Sequence, residues 1–386
     1  HSFPTRRSSD LRGSVEAGAY VYTLAKGTGE AAKNWYLTSK WNGVIDSDNP
    51  PVVDPRTVDV LRPEAGSYTS NISAANTLFA HRLHDRLGEP QYSNALQDEG
   101  LAGSMWMRHV GGHERSTAGD GQLKTQSNRY VLQLGGDIAQ WSMDGLDRWH
   151  LGVMGGYANE HSNTQSNRAG YGSDGRTSGY SAGLYGTWYQ NAVDKTGLYV
   201  DSWVLYNWFD NTVKGDEIAQ ESYKSKGLTA SLESGYAFHL GSFMAADDIE
   251  SNVYLRPQAQ VTWMGVKAND HTEKNGTRVQ GQGDNNIQTR LGMRLYVNGK
   301  SAAEKGTVRE FEPFIEANWI HNSKQYGVRM NDTSTSLQGS RNVGEVKVGV
   351  EGRLTRDLSV WGNVAQQMGH NGFRDTSGVL GIKYQF

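Results

Sequence analysis

The chain contains no cysteine, which excludes a disulfide framework and a thiolate metal site. It also lacks an uninterrupted apolar run of the roughly 20 residues that a membrane helix needs, so a bundle of transmembrane helices is excluded. Neither sign of charge dominates: the formal net charge is −3, too small to suggest nucleic acid as a partner. Proline is scarce, and four of the eight prolines (Pro50, Pro51, Pro55 and Pro63) crowd into one stretch. Mean hydropathy is only −0.65, yet this does not exclude a membrane barrel, in which only alternate residues face lipid. An initiator methionine and a leader peptide are missing as well, so a piece of a longer protein is expected. Residues 1–11 are polar, basic and unpatterned, and resemble a non-native adapter.

Glycine, tyrosine and tryptophan are abundant, at 47, 19 and 11 residues. Glycine suits turns and close strand approach, and Tyr and Trp suit the two interfaces of a membrane. From about Leu101 to Phe386 the chain alternates apolar and polar residues between polar loops. Tyr130, Leu132, Leu134 and Ile138 share a face, as do Leu228, Ala230, Leu232, Tyr236, Phe238 and Leu240. The intervening positions carry Gln133, Asp137, Asp201, Glu233, Arg290, Glu316 and Glu345. A soluble sandwich would bury the apolar face, and a membrane barrel turns it to lipid and the charges to the lumen. Twelve candidate strands can be drawn, each of about ten to fifteen residues, longer than the usual strand and sufficient for a tilted bilayer crossing. Short turns (143–145, 355–357) alternate with longer polar stretches (161–176, 266–286), the asymmetry expected of periplasmic and outer loops.

Two further features bear on topology. Residues 71–87 place Ile72, Ala75, Phe79, Leu83 and Leu87 at helical spacing. Asn71 or Ser73 is the expected N-cap, and Gly88 with Pro90 the expected stop. Asn76, Thr77, His81, His84 and Asp85 occupy the other face. The last strand, Gly378 to Phe386, ends on the aromatic with Leu380, Ile382, Tyr384 and Phe386 on one face. Such an open edge would invite aggregation, and closure into a barrel removes it; the expected closing partner is the first strand, near Trp106.

On these residues the chain resembles the translocator unit of bacterial autotransporters, in the pertactin and diffuse-adherence adhesin group. The similar blocks are Pro63–Tyr68, Asn71–Phe79, His81–Gly88, Trp106 with Arg108 and Gly111–His113, Pro257–Gln260, Arg290–Gly292, Glu312–Phe314, Glu316–Trp319 and Tyr384–Phe386. Upstream, Ala17–Tyr20 and Asn34–Ser39 are similar to the family's passenger end. The resemblance implies an all-β fold: a twelve-stranded antiparallel transmembrane barrel with an N-terminal helix threaded through its lumen, after the end of a β-helix passenger. It divides the chain into a passenger end at 12–45, a linker at 46–62, a pore helix at 63–90 and a barrel at 100–386. It implies export and anchoring of an upstream adhesin-like passenger at the cell surface. The implied partners are outer-membrane lipid, periplasmic chaperones, the chain's own passenger, and a barrel assembly machinery that reads Tyr384 and Phe386. No cofactor and no enzyme activity are expected.

The expected pore-helix residues are Asn71, Asn76, Phe79, His81, Arg82 and Asp85, facing the lumen groups Asp201, Glu233, Arg290 and Glu316. A mixed helix face suits a charged lumen, because polar groups left unpaired there are costly. Some family members cut their passenger free at a helix asparagine with the help of barrel carboxylates, which makes Asn71 and Asn76 candidates; the Asn-Asn pair of the self-cutting members is absent. His109, His113 and His150 lack metal-ligand spacing and a clear Asp or Ser partner, and read as loop or lumen histidines. The tryptophans at 106, 141, 149, 188, 203, 208, 263, 319 and 361 read as interfacial girdles. A general porin or an outer-membrane hydrolase are the rival readings. The porin predicts an open lumen and the hydrolase predicts paired catalytic groups.

Overall fold

A computed structural model describes residues 14–26, 30, 33–40, 59–87, 103–245, 249–299, 309–355 and 357–386. Three short strands come first: β1 (Ser14–Ala17), β2 (Tyr20–Lys26) and β3 (Trp35–Thr38). Two helices follow, α1 (Glu64–Thr77) and α2 (Leu83–Leu87). Long strands come next: β4 (Ser104–Ala118), β5 (Leu123–Trp141), β6 (Arg148–Ser166), β7 (Gly172–Asn191), β8 (Thr196–Gly215), β9 (Glu221–Ala245) and β10 (Ile249–Met264). Short β11 (Lys267–Ala268), β12 (His271–Thr272) and β13 (Arg278–Gln282) precede β14 (Asn286–Asn298) and β15 (Glu310–Asn322). Short β16 (Gly327–Met330) and β17 (Thr333–Gln338) precede β18 (Asn342–Arg353), β19 (Leu358–Met368) and β20 (Arg374–Gln385).

Among the described residues, twelve strands (β4–β10, β14, β15 and β18–β20) form one closed antiparallel barrel. The last strand closes on the first, with Lys383 opposite Trp106 and Val379 opposite Val110. Among the described residues the barrel thereby has no open strand edge. The alternation resolves in space as the charge pattern demands. Leu134, Ile138, Leu184, Leu232 and Leu380 lie exposed on the outer face, while Gln133, Asp137, Asp201, Glu233, Arg294 and Glu316 are buried inside.

The short turns mark the periplasmic end. In the turn after β5, the Asp147 carboxylate accepts hydrogen bonds from the amides of Met143 and Asp144 at 2.7 and 3.1 Å. Gly145 there has φ +82°, a left-handed conformation that glycine adopts without strain. At the opposite end β5–β9 reach 19 to 25 residues, about twice what a bilayer crossing needs. The polar stretch 161–176 is therefore mostly strand standing beyond the lipid, with β6 running to Ser166 and β7 starting at Gly172. The stretch 266–286 likewise carries β11–β13.

The threaded segment differs from the continuous helix expected over 63–90. Helix α1 starts at Glu64 behind Pro63, and Asn71 lies in its body. It stops at Thr77, and α2 begins only at Leu83. Two carboxylates explain the break. The Arg82 amide donates to Asp85 Oδ2 at 2.9 Å, and the Leu83 amide donates to Glu233 Oε1 at 3.1 Å. Neither amide is left to continue the helix ladder. Gly88 and Pro90, Pro50, Pro51, Pro55 and residues 1–11 lie outside the described residues.

At the outer mouth, β1–β3 pair antiparallel as one three-stranded sheet, where rungs of a β-helix would pair in parallel. Residues 59–62, expected as linker, are fastened at both sides. Arg62 donates its amide to Ala19 O at 3.0 Å. Leu61 donates to Gln122 Oε1 at 3.1 Å in the turn between β4 and β5.

Candidate functional site, the plugged lumen

Helix α1 lies against one side of the lumen. It can approach because the facing residues are small. A Cβ added at Gly66 would fall 2.5 Å from Thr164 Cγ2 on β6, and one at Gly175 on β7 would fall 3.0 Å from Asn71 Oδ1. Polar side chains then bond the helix to the wall. Ser67 Oγ meets Ser173 Oγ at 2.8 Å, and Ser70 Oγ donates to Glu160 Oε1 at 3.1 Å. Asn71 Nδ2 donates to Thr212 O and to Tyr223 Oη, both at 3.1 Å. Asn76 Nδ2 donates to Ile72 O and Val266 O, and its Oδ1 accepts the Val266 amide at 2.9 Å. Phe79 stacks on Phe209 with ring centres 5.7 Å apart.

Deeper in the lumen, α2 and the turn before it carry two arginines. Arg82 reaches Glu316 on β15 with one guanidinium nitrogen and Glu233 on β9 with another, the latter at 3.3 Å. Glu233 also accepts the Tyr199 hydroxyl at 2.8 Å. Arg86 Nη2 donates to Asp201 Oδ1 at 2.5 Å, and its guanidinium lies 4.0 Å over the Tyr185 ring. His81 stacks on Trp203 at 4.8 Å, and its carbonyl accepts Trp203 Nε1 and Gln260 Nε2. His84 hydrogen-bonds Arg256. All these groups are buried, so the lock is a desolvated ionic network in which both signs are paired. Arg290, the remaining expected lumen group, pairs with Glu345 away from the helix.

At the outer mouth Arg62 makes a two-pronged contact with Glu273, at 3.1 and 2.8 Å, and donates to Gly18 O at 2.9 Å. Glu64 lies 3.5 Å from Arg62. Burial pushes the Glu64 carboxyl up to about 7, although the Arg62 charge beside it pulls the other way. The Gly18 amide donates to Thr277 Oγ1 at 3.0 Å, tying the three-stranded sheet to the same loop.

The lumen groups meet the threaded segment mainly through its arginines. Asp201, Glu233 and Glu316 are engaged by Arg86 and Arg82, and no hydrogen bond among the described residues joins them to Asn71 or Asn76. Asp85 serves the segment's own backbone. At the periplasmic rim the Phe386 amide donates to Gly103 O at 3.0 Å, and the Phe386 ring stacks on Tyr384 at 6.3 Å. A Cβ at Gly103 would lie 2.6 Å from that ring.

Three expectations need correction. His150 does have an acidic partner: its Nδ1 lies 2.8 Å from Asp137 Oδ2 inside the lumen, and Tyr185 Oη donates to Asp137 Oδ1 at 2.5 Å. His109 and His113 belong neither to a loop nor to the lumen. They stand on the outer face of β4, beside Tyr130 and Asn128. Of the nine tryptophans, Trp106, Trp203 and Trp361 point inward and are buried. At the periplasmic rim Trp141 stacks on Trp149, and Trp188 packs tilted against Trp149, as a girdle requires. The Arg62–Glu273 contact had no sequence signal, since 211 residues separate the partners.

Residues 105–365 match the family described as autotransporter beta-domain. The chain belongs to the autotransporter family. It is 63% identical over 97% of its length to the uncharacterized protein YdeU of Escherichia coli K12, spanning 82% of that protein. It is 45% identical, again over 97% of its length, to the autotransporter adhesin AIDA-I of Escherichia coli, of which it spans 28%. The crystal structure of the AIDA-I transport unit superposes with a TM-score of 0.75 at 43% identity, covering 84% of this chain and 99% of that one. The translocator domain of NalP from Neisseria meningitidis shares the fold, with a TM-score of 0.55 at 13% identity. The chain is thus an outer-membrane β-barrel translocator unit, with its N-terminal side at the cell surface.

Proposed function

We propose that this autotransporter barrel exports and then anchors an adhesin-like passenger that lies upstream, and that its lumen ends each export event filled by its own chain. The path of residues 59–87 carries the reading. Leu61 is fastened at the outer turn of β4 and β5, and Arg86 is fastened to Asp201 deep in the lumen. A chain left in that position is what threading an N-terminal passenger outward would leave behind. In this reading 12–45 end the passenger, 46–62 link it, 63–90 plug the pore and 100–386 form the barrel. The Arg82 and Arg86 contacts are the plug's lock, and Asn71 and Asn76 are structural. Tyr384 and Phe386, exposed at the periplasmic rim, serve as the signal read by the assembly machinery after chaperoned transit.

The barrel does no bond chemistry in this reading. The His150–Asp137 pair is buried among Tyr185 and Trp106, whose Nε1 donates to Tyr185 Oη at 3.2 Å, and it serves to hold the lumen wall. A porin reading is disfavoured by the occupied lumen.

The test uses the full-length gene with an epitope upstream of residue 12. Protease added to intact cells should remove the epitope while the barrel stays resistant. An epitope retained in the periplasm beside a folded barrel would refute export. Removing Phe386 should reduce the amount of folded barrel in the outer membrane far more than it lowers the melting temperature of the barrels that do insert. Equal effects would return Phe386 to an ordinary lipid-facing role.

A further inference from the structure

The outer face of the barrel carries a cationic patch where the barrel closes. Arg374 of β20 lies directly opposite Arg115 of β4. Lys124 of β5 stands opposite Thr117, one diagonal step from Arg115 on the same face. His113 lies two residues before Arg115. Farther round, His161 of β6 faces Arg176 of β7. Arg115, Arg374, Lys124 and Arg176 are all exposed. Like charges placed directly opposite each other repel, so the seam carries an uncompensated repulsion.

The neighbouring carboxylates do not relieve it. Glu114 and Asp375 alternate to the lumen side, where Arg129 holds Asp375 at 2.7 Å. The outward neighbours Gln126 and Thr376 are neutral. Asp174, on the outer face of β7, stands opposite Lys214 and accepts Asn163 Nδ2 at 2.8 Å. Among the described residues no ion pair forms at Arg115, Arg374, Lys124 or Arg176.

Position identifies the missing anion. Below the patch on the same outer face, Tyr130 stands opposite Gly111, and Leu380 and Leu132 flank His109; Tyr130 and Leu380 belong to the exposed apolar belt. The short periplasmic turns are at the other end of these strands. The cations therefore stand above that belt, at the level of the outer-leaflet headgroups. We propose that Arg115, Arg374 and Lys124, supported by His113, form a docking surface for a phosphate-bearing lipid of the outer leaflet. Its headgroup bridges β20 to β4, and its chains lie along Tyr130, Leu132 and Leu380. A free phosphate would gain only the charge contacts, whereas such a lipid gains both.

Native mass spectrometry of the full chain, folded in a neutral detergent, tests this. The probes are a diphosphorylated glucosamine disaccharide lipid and its dephosphorylated counterpart with the same acyl chains. The unmodified chain should retain the phosphorylated lipid selectively. A variant carrying Arg115→Gln, Arg374→Gln and Lys124→Gln should lose affinity on the order of a hundredfold, and Arg115→Gln alone roughly fivefold. A Lys224→Gln, Lys226→Gln control on β9 should bind as the unmodified chain does. Heat-modifiable gel migration reports folding, and the single variant carries the test if the triple one fails to fold. Equal retention of the two lipids, unchanged binding by a folded variant, or displacement of the lipid by inorganic phosphate would each overturn the proposal.

Discussion

The lumen wall made of β5–β9 grips the threaded segment, and the wall made of β14, β15, β18–β20 and β4 stands back from it. On the first side, glycines at 66 and 175 remove the side chains that would keep helix and strand apart, and Ser67, Ser70 and Asn71 bond across the gap. On the second side a polar cavity of about 200 Å³ remains, lined by Arg108, Glu114, Arg290, Glu345, Lys347 and Asp375. Just before α2 the segment reaches both walls, where Arg82 bridges Glu233 on β9 and Glu316 on β15. The difference separates two tasks. The close wall positions the plug by shape and neutral hydrogen bonds. The charges of the distant wall pair largely without the plug, Arg290 with Glu345 and Asp375 with Arg129, and a polar cavity remains beside the helix.

The comparison can be broken at its strongest point first. Replacing Arg82 with Met leaves Glu233 and Glu316 buried without their shared cation. That should destabilise the docked plug by about 3–5 kcal/mol, read as lowered unfolding temperature in detergent and as new protease sensitivity within 64–87. Gly66→Val overfills the close wall against Thr164, and should destabilise by about 1–3 kcal/mol. Ala365→Leu sharpens the contrast. It adds a comparable bulk facing the cavity, and should change stability by less than about 1 kcal/mol. If the two substitutions cost the same, the distinction between the walls fails.

The smallest effect is expected at the outer mouth and depends on pH. The Glu64 carboxyl is raised from 4.5 to about 7, so the folded state favours its protonated form. Its contribution is full below about pH 4.5 and is lost as the pH rises through about 7. Arg62 lies 3.5 Å from it and is held in turn by Glu273 at 2.8 Å. Hydrogen exchange at the amides of 65–67 should therefore quicken, relative to the barrel strands, between those pH values. Glu64→Gln should flatten that profile, and a profile unchanged by the substitution would remove Glu64 as its source.

Much of this was legible because the strand period is two. Leu134 and Gln133, or Leu232 and Glu233, announce opposite faces by parity alone, and the buried set matches that parity. Parity would also have placed Trp203 inward, since it shares a face with Asp201; grouping the tryptophans by residue type hid this. Other features had no local signal. Strand length beyond the lipid leaves no apolar mark, so 161–176 looked like a loop although β6 and β7 occupy most of it. The break between α1 and α2 depends on Glu233, 150 residues from the Leu83 amide it accepts, while Phe79 and Leu83 stayed in helical phase. The partner of His150 lay 13 residues back across a hairpin, close in sequence but recognisable only once the register was known.

The central claim is that the translocator's lumen is a pore closed by its own threaded segment. Single-channel conductance in planar bilayers, comparing the intact chain with one lacking residues 64–87, tests it most directly. Heat-modifiable migration should show that both barrels are folded. The account predicts a small, steady current for the intact chain, carried by the cavity beside α1, and a several-fold larger current after the deletion. Equal currents from two folded barrels would contradict it.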